Sequence, residues 1–380
     1  MRGLRENPRR AAAALSALVF FLGALLVGCD KQFINPNLNL IRLLPYASKK
    51  PHVFFAQTTD GKSLALHRTE PNVIREGLPP IILCHEEGMN KWIWDVAGQD
   101  SLIKYFARLG FDVWALEFRG HGESTKPEWH NELPYDWNFD DYVHKDLPAA
   151  VSYVQGKTNS RYVTLMGHGI GAMAIYAYLV TENFFDEVAG AVLLAPPGFA
   201  AEYSPAMERF VSQGRDWNRL DPLPLLHLPA RAEEWALFDE LMLKGTPMPR
   251  LTVKRFAERG LEVISPKVLQ QLTHWVEAND FLSADLNFSY RNKLSLIRVP
   301  VLVVAGTADQ FAHPGAVNYG FRVITSQDKT FLLLGRDYGQ LHDYSHLGLL
   351  FGTHAKEEVF PRLFEWIEER TPGFDVWGKF

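Results

Sequence analysis

Cysteine is nearly absent from the 380-residue chain, with Cys29 and Cys84 as the only two, so no disulfide framework is available. Basic runs are missing outside the N-terminus and the formal net charge is −5, which gives nucleic acid nothing to bind. There is no internal repeat and no low-complexity tract. Cysteine pairs, a phosphate-binding glycine loop and a metal-ligand cluster are also lacking, so neither cofactor nor metal is expected. What remains is an ordinary globular composition, 47% hydrophobic and 22% charged, long enough for one large domain or two smaller ones.

The first segment does not read as part of the fold. Met1–Arg10 carries four arginines, an apolar run follows, and Leu-Val-Gly-Cys closes it at Cys29. A basic region, an apolar region and a small-residue end have the layout of an export signal. The ending resembles a bacterial lipobox, which implies that residues 1–28 are removed and Cys29 is lipidated. The alternative is an uncleaved anchor helix, since the run is nearly long enough to span a bilayer. Asp30 resembles an inner-membrane retention signal, which implies the periplasmic face of that membrane in the cell envelope. Cleavage would remove four arginines and one glutamate, taking the net charge from −5 to −8. It would also leave Cys84 without a partner. Residues 29–51 read as a tether.

The rest of the chain alternates strands and helices. Two alternating runs around Thr-Asp-Gly form a hairpin from residue 52. Buried strands are expected at "PPIILC", "FDVWALEF", "RYVTLM", "AGAVLLA", "VPVLVVAG" and "KTFLLLG". Helices are expected at "SLIKYFARLG", at "DDYVHKDLPAAVSYVQG" with Asp140 as N-cap, after "GHGIG", and at "EEVFPRLFEWIEER". This is the pattern of an α/β protein with a doubly wound, mainly parallel sheet. Residues 199–296 break it: they are helical in spacing, rich in Pro, Trp, Phe and Leu, and too many for a loop. They are expected to form a helical cap between two parts of the core, 52–198 and 297–380, over the sheet edge where ligands bind.

The order of motifs resembles the α/β-hydrolase family, with acid-lipase and esterase-like members nearest in pattern. "HEEG" resembles the oxyanion loop after the third strand. "FRGHGES" resembles the loop after the fourth. "GHGIG" resembles the nucleophile elbow, "GTADQ" the acid loop with Asp309, and "DYSHLGLLFG" the late histidine loop with His346. The resemblance implies His346 as base and Asp309 as its orienter, with backbone N–H groups at Glu86, Glu87 and Ile170 facing an oxyanion. His342 is a rival base whose spacing fits less well. Arg119, His121 and Ser124 are expected to brace loops, His168 to pack behind the site, and Trp92 and Trp94 to line the pocket or fill the core.

Two positions depart from the family pattern. The elbow expects serine at residue 169, and the chain has glycine. Glycine has no nucleophile, although it suits the strained turn. The oxyanion loop expects glycine at residue 86, and the chain has glutamate. Glu87 beside it suggests a solvated acidic loop, which favours Glu86 pointing outward. Pointing inward, it becomes an acid or base in a serine-free mechanism. Cys84 lies in an apolar strand and reads as an inert thiol.

Two functions follow. One is hydrolysis of an ester or similar carbonyl compound, with His346 and Asp309 activating a water in the space a serine would fill. The other is a catalytically inactive protein that binds a hydrophobic small molecule at the membrane. A third reading takes Gly169 as an accidental replacement in an ordinary serine esterase.

Overall fold

The computed structural model describes residues 52–73, 75, 77–128, 133–181, 187–197, 203–214 and 236–371. The expected signal, the lipidation site Cys29 and the tether lie outside them. Among the described residues no helix is long and apolar enough to cross a membrane.

The elements run β1 (His52–Gln57), β2 (Ser63–Thr69), β3 (Ile81–Cys84), α1 (Leu102–Arg108), β4 (Val113–Leu116), α2 (Leu147–Thr158), β5 (Val163–His168), α3 (Ile170–Thr181) and β6 (Val188–Leu194). After β6 come α4 (Pro205–Gly214), α5 (Arg250–Arg259) and α6 (Pro266–Ala278), and then β7 (Val301–Gly306), α7 (Pro314–Val323), β8 (Lys329–Leu334) and α8 (Phe360–Glu369). One sheet has the order β1-β2-β4-β3-β5-β6-β7-β8. β2 pairs antiparallel with β1 and β4, and every other pairing is parallel. The hairpin and the mainly parallel sheet are thus as the strand pattern implied. Short helical turns and the Leu282–Ser289 bridge are the other regular structure described between β6 and β7, and a second bridge joins Leu261 to Met89 after β3.

The central strands are apolar on both faces because helices cover both. β3 and β4 are buried at every position. α3 is buried along its whole length except Thr181, as a helix that is apolar all round must be. Its first turn presses on the end of β3: a Cβ at Gly171 would stand 2.2 Å from the Cys84 carbonyl oxygen. This contact fixes the start of α3 against the segment that follows β3.

The helical run that leads into α2 (Phe139–Asp141, then Tyr142–Asp146) begins earlier than expected. Asn138, not Asp140, is its N-cap: Asn138 Oδ1 accepts the Asp141 N–H at 3.3 Å, and Asp141 Oδ2 accepts the Asn138 N–H at 3.0 Å. Asp140 instead accepts from Gln271 Nε2 (2.9 Å), the Ala284 N–H (2.8 Å) and the Tyr290 hydroxyl (2.9 Å). It ties this helix to the β6–β7 insert.

Candidate active site

The sheet register sets the site. Cys84 pairs with Gly167, so the chain leaves β3 and β5 at the same level and side by side. Glu86 lies two residues past β3, and Gly169 one residue past β5. Asp309 follows β7, and His346 comes from the loop after β8. All of them gather at the C-terminal edge of the parallel strands, where such sheets place their ligands.

Glu86 points inward, contrary to expectation, and is only 1% exposed. Glu87 is no solvated neighbour either; its side chain is packed away as described below. Glu86 Oε1 accepts the Glu87 N–H at 2.7 Å and the Ile170 N–H at 3.0 Å. These are two of the N–H groups expected to face an oxyanion, and Glu86 enters the site through its carboxylate. The other oxygen, Oε2, stands 2.9 Å from His346 Nε2. The acidic neighbour Glu87 had favoured the opposite, outward direction for this side chain.

Gly169 makes the arrangement possible. A Cβ built on residue 169 would lie 1.5 Å from Glu86 Oε2 and 2.4 Å from its Cδ. Any side chain there and the Glu86 carboxylate exclude each other. Residue 169 also has φ +54°, the left-handed region that glycine tolerates best. The Glu86 carboxylate, from the loop after the neighbouring strand, thus occupies the space that a side chain at residue 169 would need. The space in which a water was expected is occupied by Glu86.

His346 is fully buried between two carboxylates. Its Nδ1 bonds Asp309 Oδ2 at 2.8 Å, and Asp309 Oδ1 accepts the N–H groups of Phe311 (2.9 Å) and Ala312 (2.7 Å). Burial alone would lower the imidazole pKa, but Asp309 and Glu86 outweigh it and hold it up at about 9. At neutral pH both ring nitrogens then donate, one to each carboxylate. The Phe311 ring lies edge-on at 5.0 Å and supplies an apolar wall.

Neighbouring histidines act as braces. His85 Nδ1 donates to the Glu86 carbonyl at 2.8 Å, while its Nε2 accepts the Phe118 N–H at 3.1 Å; burial pushes its pKa down to about 3 and keeps it neutral. His121 accepts the Gly88 N–H at 3.2 Å. Arg119 is tied to Asp146 and Asp60, and the Ser124 hydroxyl bonds the Glu117 carbonyl. Glu87 turns away to accept from the Tyr142 hydroxyl at 2.9 Å and the Ser265 N–H at 3.4 Å, and burial pushes its pKa up to about 8. Sequence reasoning missed this link between the oxyanion loop and the insert; Tyr142 and Ser265 carry no motif.

The remaining candidates lie aside. Cys84 is buried, with its thiol pKa pushed up by burial. His342 is half-buried and packs on the His354 ring at 5.1 Å, away from the carboxylates. Trp94 is core, and Trp92 packs under the Arg259 guanidinium at 5.0 Å.

His168 packs behind the site. Its Nε2 donates to the His346 carbonyl at 3.0 Å, and its Nδ1 has no hydrogen-bond partner. Glu86, His168 and His346 each offer a ligand atom, all within 4.8 Å of one another, and among the described residues are a group able to hold a metal ion, a cluster the sequence did not suggest. A cation there would have to displace the proton that His346 shares with Glu86.

This geometry can be set beside known proteins. The model of the alpha/beta hydrolase fold family matches residues 79–342. The chain belongs to the α/β-hydrolase family. A probable lipase of Schizosaccharomyces pombe is 28% identical, with 93% of this chain and 83% of the relative covered. Triacylglycerol lipase 1 of Arabidopsis thaliana is 23% identical over 83% and 86% of the two chains. Among solved structures, a monoglyceride lipase of Saccharomyces cerevisiae superposes with a TM-score of 0.59 at 15% identity, covering 89% of this chain and 99% of that one. A bacterial membrane phospholipase A gives 0.56 at 14% identity, covering 95% and 99%. The structural likenesses support the fold, and the sequence relatives support a hydrolase of the lipase and esterase kind.

Proposed function

We propose that this chain is a hydrolase that works without an elbow serine, held to a bacterial envelope membrane by a lipid on Cys29. Its reacting groups are the Glu86 carboxylate and the His346–Asp309 pair. The observation that carries this reading is the position of Glu86 Oε2, 2.9 Å from His346 Nε2 and on the spot where a side chain of residue 169 would begin. Asp309 and Glu86 hold the second proton on His346 up to about pH 9, which opposes its taking one from water. Glu86, rather than His346, meets the substrate first. Relatives named as lipases support a substrate with a large apolar part.

The test is hydrolysis of a panel of esters and other hydrolysable apolar compounds by the full chain in detergent, with Glu86→Gln and His346→Gln beside it. Glutamine keeps the volume and removes the carboxylate. Loss of turnover in a folded Glu86→Gln variant is expected, and an unchanged rate refutes the role. The inactive binding reading has one observation in its favour: Glu86 Oε1 already fills the Glu87 and Ile170 N–H pair. Tight binding of an apolar ligand with no product from any panel member would establish it.

A further inference from the structure

We propose that Lys91 is a modification site: its amine takes an acyl group from a small activated acyl compound, an aryl ester or a thioester, with His67 as the base. The inference stands apart from the Glu86 site. A nucleophile within hydrogen-bond reach of a base, with the base oriented by a third group, is the arrangement that activates side-chain nucleophiles. Lys91 Nζ stands 2.9 Å from His67 Nδ1, and His67 Nε2 stands 2.8 Å from Glu117 Oε2. A charged carboxylate accepts and does not donate, so the His67 proton sits on Nε2, and Nδ1 offers its lone pair to the amine. Glu117 is held in place from two sides. Its Oε2 also accepts the Glu123 N–H at 2.8 Å, and its Oε1 accepts the Lys91 N–H at 3.4 Å. Burial would raise its pKa, but His67 and the Glu123 N–H outweigh it and hold the carboxyl below its usual value. Gly122 leaves the room for it: a Cβ there would collide with the Glu117 carboxylate. His67 and Glu117 are buried and Lys91 is half-buried, so the amine is the end of this line that a reagent can reach.

The step balances as follows. The Lys91 ammonium gives one proton through His67 to solvent. The neutral amine keeps an N–H on His67 Nδ1 and has its lone pair free. Attack on the acyl carbon forms the carbon–nitrogen bond, and His67 takes the N–H proton. The imidazolium is then paired with Glu117. The bond from the acyl carbon to the leaving group breaks, the leaving group takes the electron pair, and His67 passes it the proton. An acyl compound R–CO–X and the Lys91 ammonium thus give the Lys91 amide, HX and one proton. The class of donor follows from what surrounds the amine. Acyl transfer creates an oxyanion that needs donors. The Lys91 and Glu123 N–H groups already serve Glu117, so the donor must bring its own good leaving group. The Trp92 ring, 5.5 Å from Nζ, gives an aryl group an apolar surface beside the amine. The product is an amide, which stays on the chain.

The experiment treats the full chain in detergent with 4-nitrophenyl acetate and follows acetylation of each lysine by peptide mass spectrometry. Lys254, whose side chain is 71% exposed, is the internal reference for an amine without a base. Lys91 should be acetylated at least about 10²-fold faster than Lys254, the lower end of what a general base supplies. His67→Gln should bring Lys91 down to the Lys254 rate. Glu117→Gln, which leaves the base without its carboxylate, should slow Lys91 as well, and Lys254 should keep its rate in both variants. Equal rates at Lys91 and Lys254 in wild type overturn the inference, and that comparison needs no variant to fold. A fast Lys91 that stays fast in both His67→Gln and Glu117→Gln also overturns it, since exposure alone would then explain the labelling. Labelling of Lys91 that vanishes in Glu86→Gln would make the acyl group a transfer from the other site and overturns it too.

Discussion

Replacing Gly169 with alanine tests the shared space of residues 86 and 169 through stability. The new Cβ would lie 1.5 Å from Glu86 Oε2, so the carboxylate must leave. Its departure removes the acceptor of the buried His346 proton and of two N–H groups. Breaking a buried pair in this way costs about 3–5 kcal/mol. An alanine at φ +54° adds about 1–3 kcal/mol of backbone strain. Gly169→Ala should therefore destabilise by roughly 4–8 kcal/mol, a large share of the total for a domain. Glu86→Ala removes the same pair and should cost about 3–5 kcal/mol. In the double variant the pair is lost once, so its cost should fall short of the sum by about 3–5 kcal/mol. Denaturant unfolding of the four proteins measures the cycle. Additivity within about 0.5 kcal/mol, as for distant sites, would refute the claim that the two residues share one space.

Other outcomes follow from the same contacts. The His346 pKa is raised from 6.5 to about 9, so its contribution is fully present below pH 6.5 and lost as pH rises through about 9; at order-of-magnitude level this is about 3 kcal/mol, and His346→Gln should remove that pH dependence from thermal melts. Glu87 is raised from 4.5 to about 8, so stability should fall as pH climbs between those values, and Glu87→Gln should flatten that slope. Dialysis against a chelator should leave hydrolysis unchanged; loss restored by a divalent cation would instead assign Glu86, His168 and His346 as ligands. Cys29→Ser should move the chain out of the membrane fraction and leave its turnover intact.

Much of the fold was legible because each strand is a short apolar run next to a helix with its own stop signal. β3, β4 and β5 announce themselves this way, and with them the mainly parallel sheet, whereas the strand order comes from the structure. The direction of Glu86 was not legible. A loop position does not determine a side-chain torsion, and the acidic neighbour Glu87 argued for solvent. A clue was present in the pair of departures: a carboxylate at 86 and no side chain at 169, on loops after two strands that such a sheet sets side by side. Asp140 misled for a related reason. Asn138 and Asp140 are both good caps, and the choice was made by the partners Gln271, Ala284 and Tyr290, far along the chain.

The most direct measurement is labelling by a serine-reactive fluorophosphonate of four proteins: wild type, Gly169→Ser, Glu86→Gly and the double variant Glu86→Gly/Gly169→Ser. The account predicts that the double variant alone is labelled at residue 169, because a serine becomes reactive there only when the Glu86 carboxylate has vacated the space and the Glu87 and Ile170 N–H groups. Equal labelling of Gly169→Ser with Glu86 still present would contradict it, since the carboxylate would then not occupy the serine's place.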